Sequence, residues 1–264
     1  MATPGRPHEP STTPPPDLAA TELFAVDAYR RDADADVLDV DRDQGRVRLT
    51  RTVFFPGGGG QPCDTGLLRS GDQTWAVTRA ARDQGAIWHW LEAAGTTDAE
   101  ALPERGATAS GELDWHRRHL TMRTHTALHI LCGVIWQEFQ IPVTGGNMEV
   151  GAGRLDFPFE SMSTELGSRM EQRINDEIEA ARDIVVEFLG REIADGDPAL
   201  IRTSAHLIPR AIDPLRVIDI VGLDKQADGG THVLNTAEVG RVRVTGTESK
   251  GKGNKRIRLA VDDP

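Results

Sequence analysis

The sequence predicts an α+β protein in two parts, a small antiparallel β-barrel followed by a helix-containing α+β domain. Between Leu18 and Glu112 the apolar residues fall in short, partly alternating runs separated by Gly, Asp and Gln. That is the pattern of strands joined by turns, which close into a small barrel or pack as a sandwich. At Asp114 the pattern changes to a long helical period, followed by further strand-length runs and a second helix. The boundaries expected are a tail over 1–17, a barrel domain over 18–112 and a second domain over 113–264.

The tail carries Pro4, Pro7, Pro10, Pro14, Pro15 and Pro16 and has no apolar run of the kind a secretory signal needs. Its composition predicts disorder with polyproline character. In the barrel domain, strands are expected at Val37–Val40, Gly45–Thr52, Trp75–Arg79 and Ala86–Leu91. Among them lies Phe54-Phe55-Pro56-Gly57-Gly58-Gly59-Gly60-Gln61-Pro62. No Lys-Ser/Thr follows these glycines, so a nucleotide P-loop is excluded and a structural turn is the simpler reading.

His116–Gln140 reads as one long helix, with Leu120, Leu128, Leu131, Ile135 and Phe139 near helical spacing. Pro142 and the pair Gly145-Gly146 are expected to end it. A strand over Gly153–Phe159 and a helix from an N-cap at Thr164 to about Arg182 follow. Ile184–Leu189, Leu215–Val221, Val233-Leu234, Val239–Thr245 and Lys255–Val261 complete the expected strands, and no internal repeat is evident.

The composition, with 38% hydrophobic and 27% charged residues in 264, is that of a globular protein with room for a sizeable core. The longest apolar stretch, Ile130–Trp136, is too short to cross a bilayer. Two distant cysteines, Cys63 and Cys132, make no disulfide framework, although a single bridge between them stays open. A cytoplasmic location is therefore expected. The net charge of −11 disfavours unspecific attraction to a polyanion. A local basic patch, Lys250, Lys252, Lys255, Arg256 and Arg258, is the exception, and a solvated strand end is its plain alternative.

His125 and His129 are four residues apart, so a helix projects both from one face within reach of one metal ion. Thr126, not Glu, follows the first histidine, so the built-in general base of the zincin motif is absent. Two packed core histidines would look the same. The second element is Asp228-Gly229-Gly230-Thr231-His232, whose glycines favour a tight turn that lets Asp228 and His232 converge. Alone it also reads as an ordinary turn with an exposed histidine.

Together, His125-Thr126-Ala127-Leu128-His129 and Gly229-Gly230-Thr231-His232-Val233 resemble the editing domain of alanyl-tRNA synthetases and the free-standing AlaX proteins. The resemblance extends from about Val53 to Leu259 and includes Phe55–Pro62, similar to the glycine-rich motif of the medium-length AlaX class. Arg154-Leu155-Asp156-Phe157, Asn235–Gly240 and Glu248–Lys252 continue it in the family's order. No aminoacylation domain fits in this length.

This resemblance implies an editing fold of the alanyl/threonyl-tRNA synthetase type. It also implies a metal-dependent deacylase that hydrolyses mischarged tRNA(Ala), bearing serine or glycine, at its acceptor end. Zinc would be held by His125, His129, His232 and Asp228, the last standing where the family commonly has Cys. Asp228 orienting His232 from outside the metal sphere is the other arrangement. Cys132, one helical turn beyond His129, is either near the metal or a small buried residue. The expected substrate pocket comprises Leu128, where Thr is common, Gly145, near a common Gln, and Gly58, Gly59 and Thr231. Lys250, Lys252, Lys255 and Arg256 are expected to meet tRNA phosphates. No catalytic side chain is assigned, because activated water would do the chemistry, and oligomeric state stays open. Two rivals remain: a zinc-dependent esterase for another aminoacyl-tRNA or small ester, and a tRNA-binding module without catalysis.

Overall fold

A computed structural model describes residues 13–98, 101–160, 164–197, 200, 212–249 and 253–262. The chain divides into two compact units, Pro16–Met122 and Arg123–Pro264. The first twelve residues, where most of the expected disordered tail falls, lie outside the described residues, and Pro16–Thr21 forms a short helix, α1, followed by α2 at Leu23–Val26.

The first unit is a closed six-stranded antiparallel barrel of order β1-β2-β5-β4-β3-β6. Its strands are β1 (Asp32–Asp41), β2 (Arg46–Leu49), β3 (Gly66–Ser70), β4 (Gln73–Asp83), β5 (Ala86–Ala94) and β6 (Thr108–Leu113). Closure leaves no free edge, because β6 pairs with β1 and β3. The expected barrel is therefore present, with two strands, β3 and β6, that the sequence reading passed over. β1 also starts earlier than expected. Its Asp32-Ala33-Asp34-Ala35-Asp36 run is poor in strand-forming residues, yet it alternates exposed aspartates with buried Ala33, Ala35 and Val37. Phe54, Leu68, Trp75 and Val77 fill the interior. Gly111 admits the Phe54 ring, which would lie 2.9 Å from any β-carbon there.

The long helix α3 (Trp115–Phe139) runs from the first unit into the second. It is buried on nearly every side from Leu120 to Ile135, so its apolar residues are not confined to one stripe. It ends at Gln140, which adopts φ 55°, before Pro142 is reached. Gly145-Gly146 do not end the helix but open a strand, β7 (Gly145–Glu149). There Gly146 leaves room for Leu155, 2.9 Å from where a β-carbon would sit. β7 pairs with β8 (Ala152–Phe157), β8 with β13 (Lys255–Val261), and β13 with β12 (Val242–Ser249) in one antiparallel sheet. Helix α4 (Thr164–Glu179) is pinned to β12 by Asn175, whose Nδ2 donates to the Val242 carbonyl and whose Oδ1 accepts from Val242 N–H. A second antiparallel sheet has the order β11-β10-β9, from β9 (Ile184–Leu189), β10 (Leu215–Ile220) and β11 (Asp224–Ala227). The short helix α5 (Arg191–Asp195) follows β9. Val233-Leu234, expected as a strand, is instead the approach to a 3-10 turn at Thr236–Val239, opened by a capping box of Asn235 and Glu238.

Candidate metal centre

Helical spacing stacks His125 and His129 one turn apart on α3, with ring centroids 4.9 Å from each other. The turn after β11 brings His232 against both, at 4.3 Å from the His125 ring and 4.7 Å from the His129 ring. The turn is built by its own residues. Asp228 Oδ2 accepts the Gly230 N–H at 2.6 Å, and Arg216 donates to the carbonyls of Asp228 and Gly230. Thr231 is fully buried, and its backbone is hydrogen-bonded to His125.

All three imidazoles turn Nε2 towards the Asp228 carboxylate. His232 Nε2 is 3.1 Å from Oδ2, while His125 Nε2 and His129 Nε2 are 3.7 and 4.0 Å from Oδ1. One ligand atom from each of the four residues lies within 4.8 Å of the others. Burial pushes His125 down to about 4 and His232 well below its ordinary value, so both imidazoles are neutral at physiological pH. Burial by itself would raise the Asp228 carboxyl. The adjacent His125 and His232 outweigh it and hold the group well below the usual carboxylate range. Three imidazoles and one carboxylate are a donor set that zinc accepts, so the residues present fit the metal.

The outer side of the cluster was not legible as a site. Thr126 Oγ1 shares a 3.1 Å hydrogen bond with His232 Nδ1 and accepts from Val233 N–H at 3.4 Å. Asp224, wholly buried, lies 3.8 Å from His129 Nδ1. Thr126 had a visible signal, since it sits between the two helix histidines. Asp224 had none beyond being a carboxylate beside an apolar run. Cys132 accepts a hydrogen bond from Gln226 and is not one of the four clustered residues. Both cysteines are free thiols.

Leu128 is buried, its Cδ1 2.9 Å from where a β-carbon on Gly153 would stand. Gly145 pairs with Asp156 across β7 and β8. Gly58 and Gly59 belong to the barrel unit, in a loop where Gly57 to Gly60 all have positive φ. Nothing lies within 4 Å of a β-carbon built on Gly58 or Gly59, so backbone conformation alone requires glycine there. Asp64 anchors the far end of this loop by accepting from Phe55 N–H and from the buried Arg118 guanidinium. Lys250 and Lys252 lie outside the described residues. Lys255 faces inward with Ile257, Leu259 and Val261 and donates to Ser249 Oγ at 3.1 Å. Arg256 makes a two-pronged bond to Asp156 at 2.7 and 2.8 Å. The charge of Arg256 is thus paired within the fold.

Residues 215–258 match the family described as the threonyl and alanyl tRNA synthetase second additional domain. The chain is 34% identical to alanyl-tRNA editing protein AlaX-M of Saccharolobus solfataricus, over 91% of this chain and 98% of that protein. AlaX-M of Methanosarcina mazei is 32% identical, over 91% of this chain and 96% of its own length. The alanine–tRNA ligase of Thermococcus kodakarensis is 32% identical over 91% of this chain, which corresponds to 26% of the ligase.

Proposed function

The chain belongs to the AlaX-M family of alanyl-tRNA editing proteins, and from that premise we propose that it hydrolyses mischarged tRNA(Ala), with serine or glycine as the misplaced amino acid. The observation that carries the reading is the largely buried quartet His125, His129, Asp228 and His232. The need for such an enzyme is physical. A pocket made for alanine rejects neither the smaller glycine nor serine, with its one added hydroxyl, strongly enough, so a second site must remove the wrong product.

Zinc, held by the three histidines and Asp228, would supply Lewis-acid chemistry for an ester carbonyl and positive charge for the developing oxyanion. The protein's part is to hold neutral imidazoles with their Nε2 atoms converging, and burial does this for His125 and His232. Arg216 and the Asp228–Gly230 contact keep the turn in shape, so His232 is delivered at a set place.

Leu128 favours a second reading. It presents no hydroxyl to hydrogen-bond a serine side chain, and its side chain packs against Gly153, which supports an esterase directed at another aminoacyl-tRNA. One experiment separates these readings: zinc analysis of the purified protein beside deacylation of seryl-, glycyl- and alanyl-tRNA(Ala), with His125→Ala and Asp228→Ala in parallel. Stoichiometric zinc and selective loss of the seryl or glycyl ester, both abolished in the variants, are expected. Equal turnover of every ester would leave the second reading. Binding of tRNA without zinc or hydrolysis would leave a non-catalytic module and refute both.

A further inference from the structure

Each histidine of the quartet turns Nε2 towards Asp228, which leaves the rest of the ring to be held by something else. His125 is hydrogen-bonded to the Thr231 backbone, and His232 Nδ1 to the Thr126 hydroxyl. His129 Nδ1 is buried and makes no hydrogen bond to a described residue, and the Asp224 carboxylate stands 3.8 Å away. We propose that Asp224 is the positioning residue of His129, keeping the proton on Nδ1 and the Nε2 lone pair free for the metal. The inference rests on the metal reading above.

Four features place the carboxylate there. Its side chain has no exposed surface, and a carboxylate is seldom taken wholly out of water without a partner. Gln226 Nε2 donates both to Asp224 Oδ2 and to Cys132 Sγ, so it ties β11 to the α3 turn that carries His129. At Gly133, on the next turn, a β-carbon would stand 2.8 Å from Asp224 Cβ and 3.0 Å from Leu223 Cγ. Only a glycine lets the strand and helix approach this closely. The oxygen nearest in register, Oδ2, is the same one that Gln226 holds. At 3.8 Å the pair is in ion-pair range, somewhat beyond a direct hydrogen bond. A carboxylate behind a metal-binding imidazole fixes its tautomer and ring orientation and makes the other nitrogen more basic.

The test compares wild type with Asp224→Asn, which preserves size and a contact for Gln226 while removing the charge. Zinc affinity is measured by chelator competition, with the visible spectrum of the cobalt-substituted protein and the thermal midpoint of the metal-free protein alongside. The expected result is about 10- to 100-fold weaker zinc binding and an altered cobalt spectrum, at an unchanged metal-free midpoint. Equal zinc affinity and an unchanged cobalt spectrum would overturn the proposal. If the variant does not fold, nitrogen NMR of zinc-loaded wild type decides it: a proton on His129 Nδ1 supports the proposal, and one on Nε2 overturns it. A wild type that takes up no zinc fails the metal reading itself and this inference with it. A wild type that loads zinc beside an equally tight Asp224→Asn fails this inference alone.

Discussion

His89 is an acid-sensitive point in the barrel, and replacing it with Gln isolates its effect. It lies on β5, 1% exposed, with Nε2 2.8 Å from Thr52 Oγ1, Nδ1 3.3 Å from the Val47 carbonyl and the Phe54 ring edge-on at 5.6 Å. The neutral ring satisfies this setting: Nδ1–H donates to Val47 and Nε2 accepts from the Thr52 hydroxyl, a proton placement assigned from the network. Burial lowers its pKa from 6.5 to about 4, against a smaller opposing effect of the Val47 carbonyl. Between those values the unfolded chain binds a proton that the folded chain refuses, so stability is lost as pH falls through this window. The slope is about 1.4 kcal/mol per pH unit, which amounts to about 2 kcal/mol between pH 7.5 and 5. Urea denaturation of wild type and His89→Gln at the two pH values measures it. Lost packing lowers the variant equally at both, so only the difference between the two pH-dependent losses counts. His125 and His232 contribute to both proteins and cancel. A difference under about 0.5 kcal/mol would refute the assignment of a buried neutral His89, since that is the scatter expected between independent sites.

Four other outcomes follow from the geometry. Asp64→Ala leaves the wholly buried Arg118 guanidinium without its carboxylate and should cost about 3–5 kcal/mol in guanidinium denaturation. Gly133→Ala, which would gain up to about 1 kcal/mol in an exposed helix, should instead lose about 1–3 kcal/mol through overlap with Asp224. A more stable variant would contradict the close approach of β11 to α3. Thr126→Val removes the hydroxyl that meets His232 Nδ1 and Val233 N–H. It should lower stability by about 1–3 kcal/mol and weaken zinc binding by about tenfold, read by denaturation and chelator competition. Asp228→Cys should retain zinc against a chelator that strips Asp228→Ala, because a thiolate replaces the carboxylate as ligand; equal stripping of both would count against Asp228 as a ligand.

The four clustered residues were legible through two local geometries and the family resemblance that joined them. A helix places residues four apart on one face, and a double glycine lets a chain reverse within four residues. Only the fold shows that the two pieces meet, since His125 and His232 are more than a hundred residues apart. Alternation along β13 is legible in the same way. Ile257, Leu259 and Val261 face inward, and Lys255 shares their parity.

Readable along the chain was therefore the set of short-range geometries: the α+β class, the barrel, the long helix, the glycine loop and the two motifs that carry His125, His129, Asp228 and His232. Each follows from periodicity or from the backbone freedom of a few residues, which neighbours along the chain decide. Tertiary structure decided which side chains stand behind the histidines, that Gly145-Gly146 is strand and not stop signal, and that Arg256 is held by Asp156. Those outcomes depend on register and burial between segments distant in the chain. A Gly in a strand or an Asp in a core is unfavourable locally, and only the packing partner, Leu155 for Gly146 and Gln226 with His129 for Asp224, makes the choice intelligible.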